Sequence, residues 1–311
     1  MVNPLAADGA PPDIAVCFIV LAYRNPVEGL KALFSSLSQG AAAVGVRSQC
    51  VLVSNDDHFH GESIPEVEVY VGHGNVGFSA GIRIGVEAAD ADFVVIANPD
   101  LMISAADAGE FISALIRQDG VLIPVLQNVN GGAAYESYED WVFSVGRQIS
   151  ERVCRKFVLD KTTSELPRWA KICGAFLGMP APIAREFGPF DSKFFMYGED
   201  RDLTRRLRRR KVPIRLLRGV AVTHHGGGSG SGMNRELAIF RADSALRVAY
   251  RRYGAMGVWL KGYDLWLEAS LKRKSEKDYA KHARQIAVAH WRSHKGEAPR
   301  LDFDSVAQLA V

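Results

Sequence analysis

Apolar positions along the first 125 residues alternate between two spacings. Ile14–Leu21 is an unbroken apolar run rich in Val and Ile, which predicts a buried strand. From Pro26 to Leu37 the apolar residues Leu30, Leu33, Phe34 and Leu37 recur at helical spacing. Cys50–Val53 predicts a second strand, Val67–Val71 a weaker third, Gly81–Ala89 a helix, Phe93–Ala97 a strand, Ala105–Arg117 a helix and Val121–Val125 a strand. Strands interleaved with helices predict an α/β fold with a mostly parallel central sheet covered on both faces. Ligands in such sheets bind beyond the carboxyl ends of the strands. The unusual polar residues fall there: Tyr23–Asn25, Ser54–Asp57 and Asn98–Asp100.

Beyond that point the pattern loosens. Asn128 to Arg168 is irregular and polar, which predicts loops or hairpins covering the site. Trp169–Met179 predicts a strand or turn, Pro182–Phe187 a helix, Asp200–Arg210 a charged helix, and Val212–Leu217 and Val220–Thr223 two short strands. Gly226–Gly232 (GGGSGSG) predicts a flexible loop, followed by helix to about Trp291 and an irregular tail after Ser293. There is no internal repeat.

Composition narrows the class. At about 150 residues per domain, the chain allows one large domain or two small ones. With 48% hydrophobic and 23% charged residues among 311, it is neither a disordered chain nor a collagen-like fibre. Cys17, Cys50, Cys154 and Cys173 form no CxxC pair, so a zinc site and a disulfide framework are not expected and a reducing, cytoplasmic compartment is. The first dozen residues lack the basic start and apolar stretch of a signal peptide, and no run is long enough to span a bilayer. A net charge of +3 argues against a nucleic-acid partner. The charge is uneven: Arg241 to Val311 holds 14 Lys/Arg and 8 Asp/Glu, a balance of +6 that leaves −3 for the rest.

Five clusters carry candidate chemistry. Asn98-Pro99-Asp100 follows a strand, where a carboxylate can reach a divalent cation that holds a diphosphate; NPD is also ordinary turn chemistry. Asn75 to Gly85 (NVGFSAGIRIG) offers glycine turns and the free N–H groups of a helix start, as a phosphate site or a plain structural turn does. Glu199-Asp200-Arg201-Asp202, preceded by Phe194, Phe195 and Tyr197, suits a general base in an aromatic setting, or simple helix capping. His224-His225 ends a strand, as metal ligands or as ordinary histidines. The basic run Arg205–Lys211 reads as a solvated helix face or as an anion-binding one.

In this order the clusters resemble glycosyltransferase family two, the inverting enzymes of GT-A fold, and its rhamnosyltransferase-like branch. The resemblance spans roughly residues 14 to 232 and rests on NVGFSAGIRIG, ANPD, CGAFLGMPAPIAREFGPFDSKFFMYGEDRDLTRRL and VTHHGGGS. It implies a flexible stretch at 1–13, a catalytic domain at 14–232 and a helical C-terminal extension at 233–311. By resemblance, Asp100 and His224 bind Mg²⁺ or Mn²⁺, with His225 not excluded as the ligand, and Asp200 is the catalytic base with Glu199 beside it. Tyr23, Asn55, Asp56, Asn75, Gly77, Gly81, Arg83 and Asn98 are the donor-binding positions, Gly77 and Gly81 forming the turn beneath the nucleotide. Two positions depart from the family. Ser54-Asn55-Asp56-Asp57 stands where an Asp-Asn pair is usual, and Arg83 stands where Asn is usual. Arg83 is therefore open to two roles, pairing with a phosphate or narrowing the pocket.

The implied reaction moves a sugar, with dTDP-rhamnose the first donor to consider and UDP-sugars next, to a saccharide acceptor in cell-surface polysaccharide synthesis. A lipid-linked acceptor, a homodimer and a peripheral contact with the inner face of the membrane are compatible with it. Trp259, Tyr263, Trp266 and Leu267 lie near helical spacing before Lys272-Arg273-Lys274, as core or as a membrane-facing surface. Two other readings stay in view. One is a nucleotide-sugar-binding protein without catalysis, against which Asp100, Asp200 and His224 argue. The other is a nucleotidyltransferase, which would need a glycine-rich, lysine-bearing loop where Ala22-Tyr23-Arg24-Asn25-Pro26 stands.

Overall fold

A computed structural model describes residues 13–56, 64–159, 164–225, 234–271 and 297–310. The expected stretch at 1–12, Asp57, the glycine loop at 226–232 and the expected helix over 272–291 lie outside the described residues. The strands are β1 (Ala15–Ala22), β2 (Arg47–Ser54), β3 (Glu68–Tyr70), β4 (Phe93–Ala97), β5 (Leu101–Ile103), β6 (Val121–Gln127), β7 (Phe176–Pro180) and β8 (Ile214–His224). They form one sheet in the order β3-β2-β1-β4-β7-β6-β8-β5. The helices are α1 (Val27–Ala43), α2 (Gly77–Ala88), α3 (Ala105–Leu115), α4 (Arg147–Leu159), α5 (Ala181–Phe187), α6 (Glu199–Arg209), α7 (Asn234–Leu271) and α8 (Phe303–Ala310).

β1 shows why the first apolar run is unbroken rather than alternating. Val16, Phe18 and Val20 pack into a core with Leu33, Phe34, Phe111 and Ile112 of α1 and α3. Cys17, Ile19 and Leu21 pack into a second core with Ile82 and Val86 of α2. A strand buried on both faces has no polar side to present. The architecture is thus the expected α/β sheet with helices on both faces and a helical C-terminal part.

Strand direction collects the polar residues at one edge. β2, β1 and β4 are mutually parallel, β7 is antiparallel to β4 and β6, and β8 is parallel to β6. The carboxyl ends of β1, β2, β4 and β8 and the amino end of β7 therefore share one edge. Tyr23, Asn55, Asn98, His224 and the Cys173–Ala175 segment all emerge there.

Several expectations need correction. The 128–168 stretch contains α4, whose apolar residues Ile149, Val153, Cys154 and Phe157 do have helical spacing. The two short strands expected at 212–217 and 220–223 are one strand, β8, with an irregular register opposite Pro124 and Val125. β5, only three residues long, pairs with the end of β8 and was too short to leave a pattern. The tail is not irregular throughout, because α8 packs Val306 against α7 residues such as Ile239 and Phe240. All four cysteines are free thiols, and burial raises each of them above the ordinary thiol range. No helix among the described residues is long and apolar enough to cross a membrane.

Candidate functional site

Along the shared edge lies a cavity of about 560 Å³, within the usual range for small-ligand pockets. Its wall includes Tyr23, Asn55, Asn75, Gly77, Asn98, Asp100, Glu199, Asp200 and His224, nine of the twelve residues expected at the site.

The floor is built by α2 and the turn before it. Asn75 Oδ1 accepts from the Gly77 N–H (3.1 Å). Gly77 has φ +77°, and a Cβ there would lie 2.5 Å from the Phe195 carbonyl oxygen, which accepts the Phe78 N–H at 2.6 Å. Only glycine meets both conditions. Asn55 donates its Nδ2 to the Gly77 carbonyl (3.2 Å). Its Oδ1 is buried and, among the described residues, has no hydrogen-bond partner. Asn98 likewise has a buried Oδ1 without a partner among the described residues, and its backbone N–H is held by Ala175 O (2.8 Å). Buried polar atoms are nearly always satisfied, so these two oxygens beside one cavity are candidate acceptors for a ligand or a water.

Asp100 and His224 meet because β5 and β8 pair antiparallel, with Leu101 opposite His224. Asp100 Oδ1 lies 3.3 Å from His224 Nε2. Alternation along the chain sends His225 elsewhere, its Nε2 2.9 Å from Met102 Sδ. Of the two histidines, His224 lines the cavity and His225 does not. Among the described residues no group of three or more His, Cys, Asp or Glu gathers as a metal cage. One carboxylate and one imidazole still fit a divalent cation that takes its remaining ligands from phosphate and water, as Mg²⁺ and Mn²⁺ commonly do.

The third part is the start of α6. Tyr197 and Gly198 both have left-handed backbone, φ +68° and +77°. A non-glycine residue in that region costs energy and persists where the surroundings impose it. Here Ser244 Oγ of α7 donates to Met196 O (2.7 Å), and the Arg241 guanidinium lies 4.9 Å from the Tyr197 ring. This turn aims Glu199 and Asp200 into the cavity.

The two adjacent carboxyls have different surroundings. Asp200 Oδ2 accepts from Lys171 Nζ at 2.5 Å and Oδ1 from the Arg201 N–H at 2.7 Å. Lys171 is buried, and it also donates to Ser137 O (2.7 Å) and Ile172 O (3.3 Å). Burial works against its charge, but the charge and hydrogen bond of Asp200, together with Cys173, outweigh that and hold the ammonium above its ordinary range. Glu199 is buried, with no partner for Oε2 among the described residues. Burial first, and the charge of Asp200 second, push its carboxyl up to about 8. At neutral pH Glu199 is therefore mostly a neutral hydrogen-bond donor rather than a second base.

That proton state has a measurable consequence. The unfolded chain releases the proton near 4.5 and the folded chain near 8, so the folded state binds more protons between those values. The stability this group contributes is complete below about 4.5 and declines as pH rises to 8, by at most about 1.4 kcal/mol per unit. Calorimetric midpoints should fall over this range, and Glu199→Gln should flatten the fall. Identical slopes in the two proteins would assign the effect to another group.

Three expected donor-binding residues stand outside the cavity wall. Arg83 points along the outside of α2 and pairs with Glu87 (3.1 Å), more than half exposed. Gly81 does not form the turn. It lies one helical turn further on, where a Cβ would sit 2.3 Å from Leu21, so its role is to let α2 pack against β1. Asp56 donates its backbone N–H to Ser54 Oγ (3.2 Å) and is not part of the wall. The 128–168 stretch does not cover the site either. It braces α6 from behind, with Arg201 donating to Glu139 Oε2 (3.2 Å) and Trp141 O (2.6 Å). Within the basic run two arginines are committed to protein acceptors: Arg206 bonds Asp202, Phe187 O and Pro189 O, and Arg208 bonds Arg168 O and Ala170 O.

Other residues at the site were not anticipated. Lys171 is an isolated cation in an apolar stretch (WAKICGAF), a signal visible in the chain but silent about its partner. Glu236, Leu237, Phe240 and Arg241 of α7 and Phe303 of α8 also line the cavity. Phe195 stacks on Phe240 (4.2 Å between ring centroids), and Tyr23 contacts Phe303 (6.1 Å). Arg300, just before α8, donates to the Val76 carbonyl in the floor turn.

No family model and no curated protein sequence matches the chain. Among solved structures, residues 1–349 of S. aureus TarS are similar over 89% of this chain and 82% of that chain, at 14% identity and a TM-score of 0.48.

Proposed function

We propose that the protein is an inverting, metal-dependent glycosyltransferase of GT-A type, moving a sugar from a nucleoside-diphosphate donor to a saccharide hydroxyl. The observation that carries this is the convergence of the Asp100–His224 pair, the Lys171-bound carboxylate of Asp200 and the Asn55–Gly77 floor on one cavity.

Each part has a chemical task. The Asn55 Oδ1 would accept an N–H such as thymine and uracil present on their imide nitrogen. Purines present N–H groups too, so the order of donors, dTDP- or UDP-sugars with dTDP-rhamnose first, comes from the resemblance. The turn at Gly77 brings backbone close to the ribose and phosphates. Asp100 and His224 would hold Mg²⁺ or Mn²⁺, which would screen the negative charge developing on the departing diphosphate. Asp200 takes the proton of the acceptor hydroxyl as its oxygen bonds to the anomeric carbon and the bond from that carbon to the diphosphate oxygen breaks. Each Asp200 oxygen retains a lone pair beyond its bonds to Lys171 and Arg201. Attack opposite the leaving group inverts the configuration. Phe195, Phe240 and Phe303 form an apolar wall that limits water, and hence hydrolysis of the donor. An acceptor of the cell-surface polysaccharide class, lipid-linked or free, and a cytoplasmic setting complete the proposal.

Thermal-shift titration with nucleoside diphosphates, with and without Mn²⁺, tests it. dTDP or UDP should raise the midpoint more with Mn²⁺ than without, while ADP and GDP should not. In Asp100→Ala the Mn²⁺-dependent part should vanish, and calorimetric titration should give one metal-independent affinity. Response to none of the four nucleotides would overturn the proposal. Metal-dependent binding without transfer or hydrolysis of any nucleotide sugar would favour a binding protein that lacks catalysis.

A further inference from the structure

The second half of α7 carries apolar side chains on both faces, with Val258 and Leu265 buried and a row of aromatics exposed. Beyond the break at Gly254, its buried face holds an ion pair, Lys261 Nζ to Asp264 Oδ2 at 2.6 Å, both residues under 10% exposed. Asp264 also accepts from the Ser144 N–H (3.0 Å), and Phe143 lies under Lys261. The outward face carries Met256, Trp259, Leu260, Tyr263 and Trp266, each 41–68% exposed, with Tyr253 just before the break. No charged residue interrupts that face from 253 to 267. An ordinary surface helix keeps its outward face polar, and contiguous exposed apolar surface of this kind marks a docking site.

Charge and residue type choose the occupant. Trp and Tyr favour the boundary between lipid headgroups and acyl chains. Lys272-Arg273-Lys274 follows α7 directly in the chain. α4, which begins three residues after Ser144, exposes Ile149 and Val153 beside Arg152 and Lys156. The region from Arg241 onward is basic, at +6. A second copy would bring the same positive charge to the contact, whereas an anionic bilayer is attracted to it. We propose that the outward face of α7 rests on a membrane surface rich in acidic phospholipid, lying in the interface rather than crossing it. This inference stands apart from the reading of the cavity.

Co-sedimentation of the full chain with lipid vesicles tests it. Vesicles containing phosphatidylglycerol should bind the protein at least about tenfold more tightly than phosphatidylcholine alone, and high salt should remove the difference. Tryptophan emission should shift to the blue on binding. The variant carrying Trp259→Ser and Trp266→Ser should keep its thermal midpoint, because both side chains are exposed, and lose at least about tenfold in vesicle affinity. Unchanged affinity in that variant would overturn the proposal. So would a failure of the parent chain to bind either vesicle, whether light scattering then finds a dimer that the substitutions dissociate (a second copy as occupant) or a monomer throughout.

Discussion

Asp200→Asn should lower kcat for sugar transfer by about 10²–10⁴-fold, the usual contribution of a general base. The substitution keeps the shape of the side chain and removes its capacity to take a proton. An Asn oxygen can still accept the Arg201 N–H that now meets Oδ1. Lys171 loses its counter-charge but retains Ser137 O and Ile172 O as acceptors. Some stability should therefore be lost, since the ammonium is left buried without an anion. Nucleotide affinity should barely change, because Asn55, Gly77, Asp100 and His224 stand on other elements of the sheet edge. Steady-state kinetics on folded protein, paired with calorimetric nucleotide binding, separates the two effects. A kcat near that of the parent would remove Asp200 from the mechanism.

Lys171→Met should be the most destabilising of the site substitutions, by about 3–5 kcal/mol, the range for breaking one side of a buried ion pair. Both partners are largely sequestered, with side chains 9% and 15% exposed, so solvent screening is weak. In the fraction that folds, kcat should fall by about 10²-fold, as expected when a reacting group loses its alignment, with the donor KM unchanged. Lys171 is on this account a positioning residue, acting through Asp200. The double variant provides the check: once Asp200 is Asn, removing Lys171 should cost little further activity. Additive losses of kcat would mean that Lys171 acts elsewhere.

Some of this was legible along the chain. The unbroken run of β1, the helical spacing in α1 and the Val- and Ile-rich centre of β4 are local patterns imposed by burial on two faces or one. They located the strand ends, and with them Asn55, Asn98, Asp100 and His224. Asp200 and Glu199 were visible as a carboxylate pair at a helix start, although the raised pKa of Glu199 was not. Neighbours in sequence, they have different surroundings: Asp200 meets Lys171, 29 residues away, while Glu199 Oε2 is enclosed without a partner among the described residues.

Two of the misplacements share one cause. Arg83 and Gly81 belong to a glycine-rich motif, but a helix turns 100° per residue, so only its first residues reach the cavity while later ones face the sheet or solvent. The chain by itself thus determined the alternation of strands and helices and which polar residues stand at strand ends, because burial and backbone periodicity act over a few residues. The tertiary structure alone decided the lysine that meets Asp200, which of His224 and His225 lines the cavity, the wall supplied by Phe240 and Phe303, and the outward aromatics of α7. Those depend on which distant segments share space, and no local pattern of apolar and polar residues encodes that.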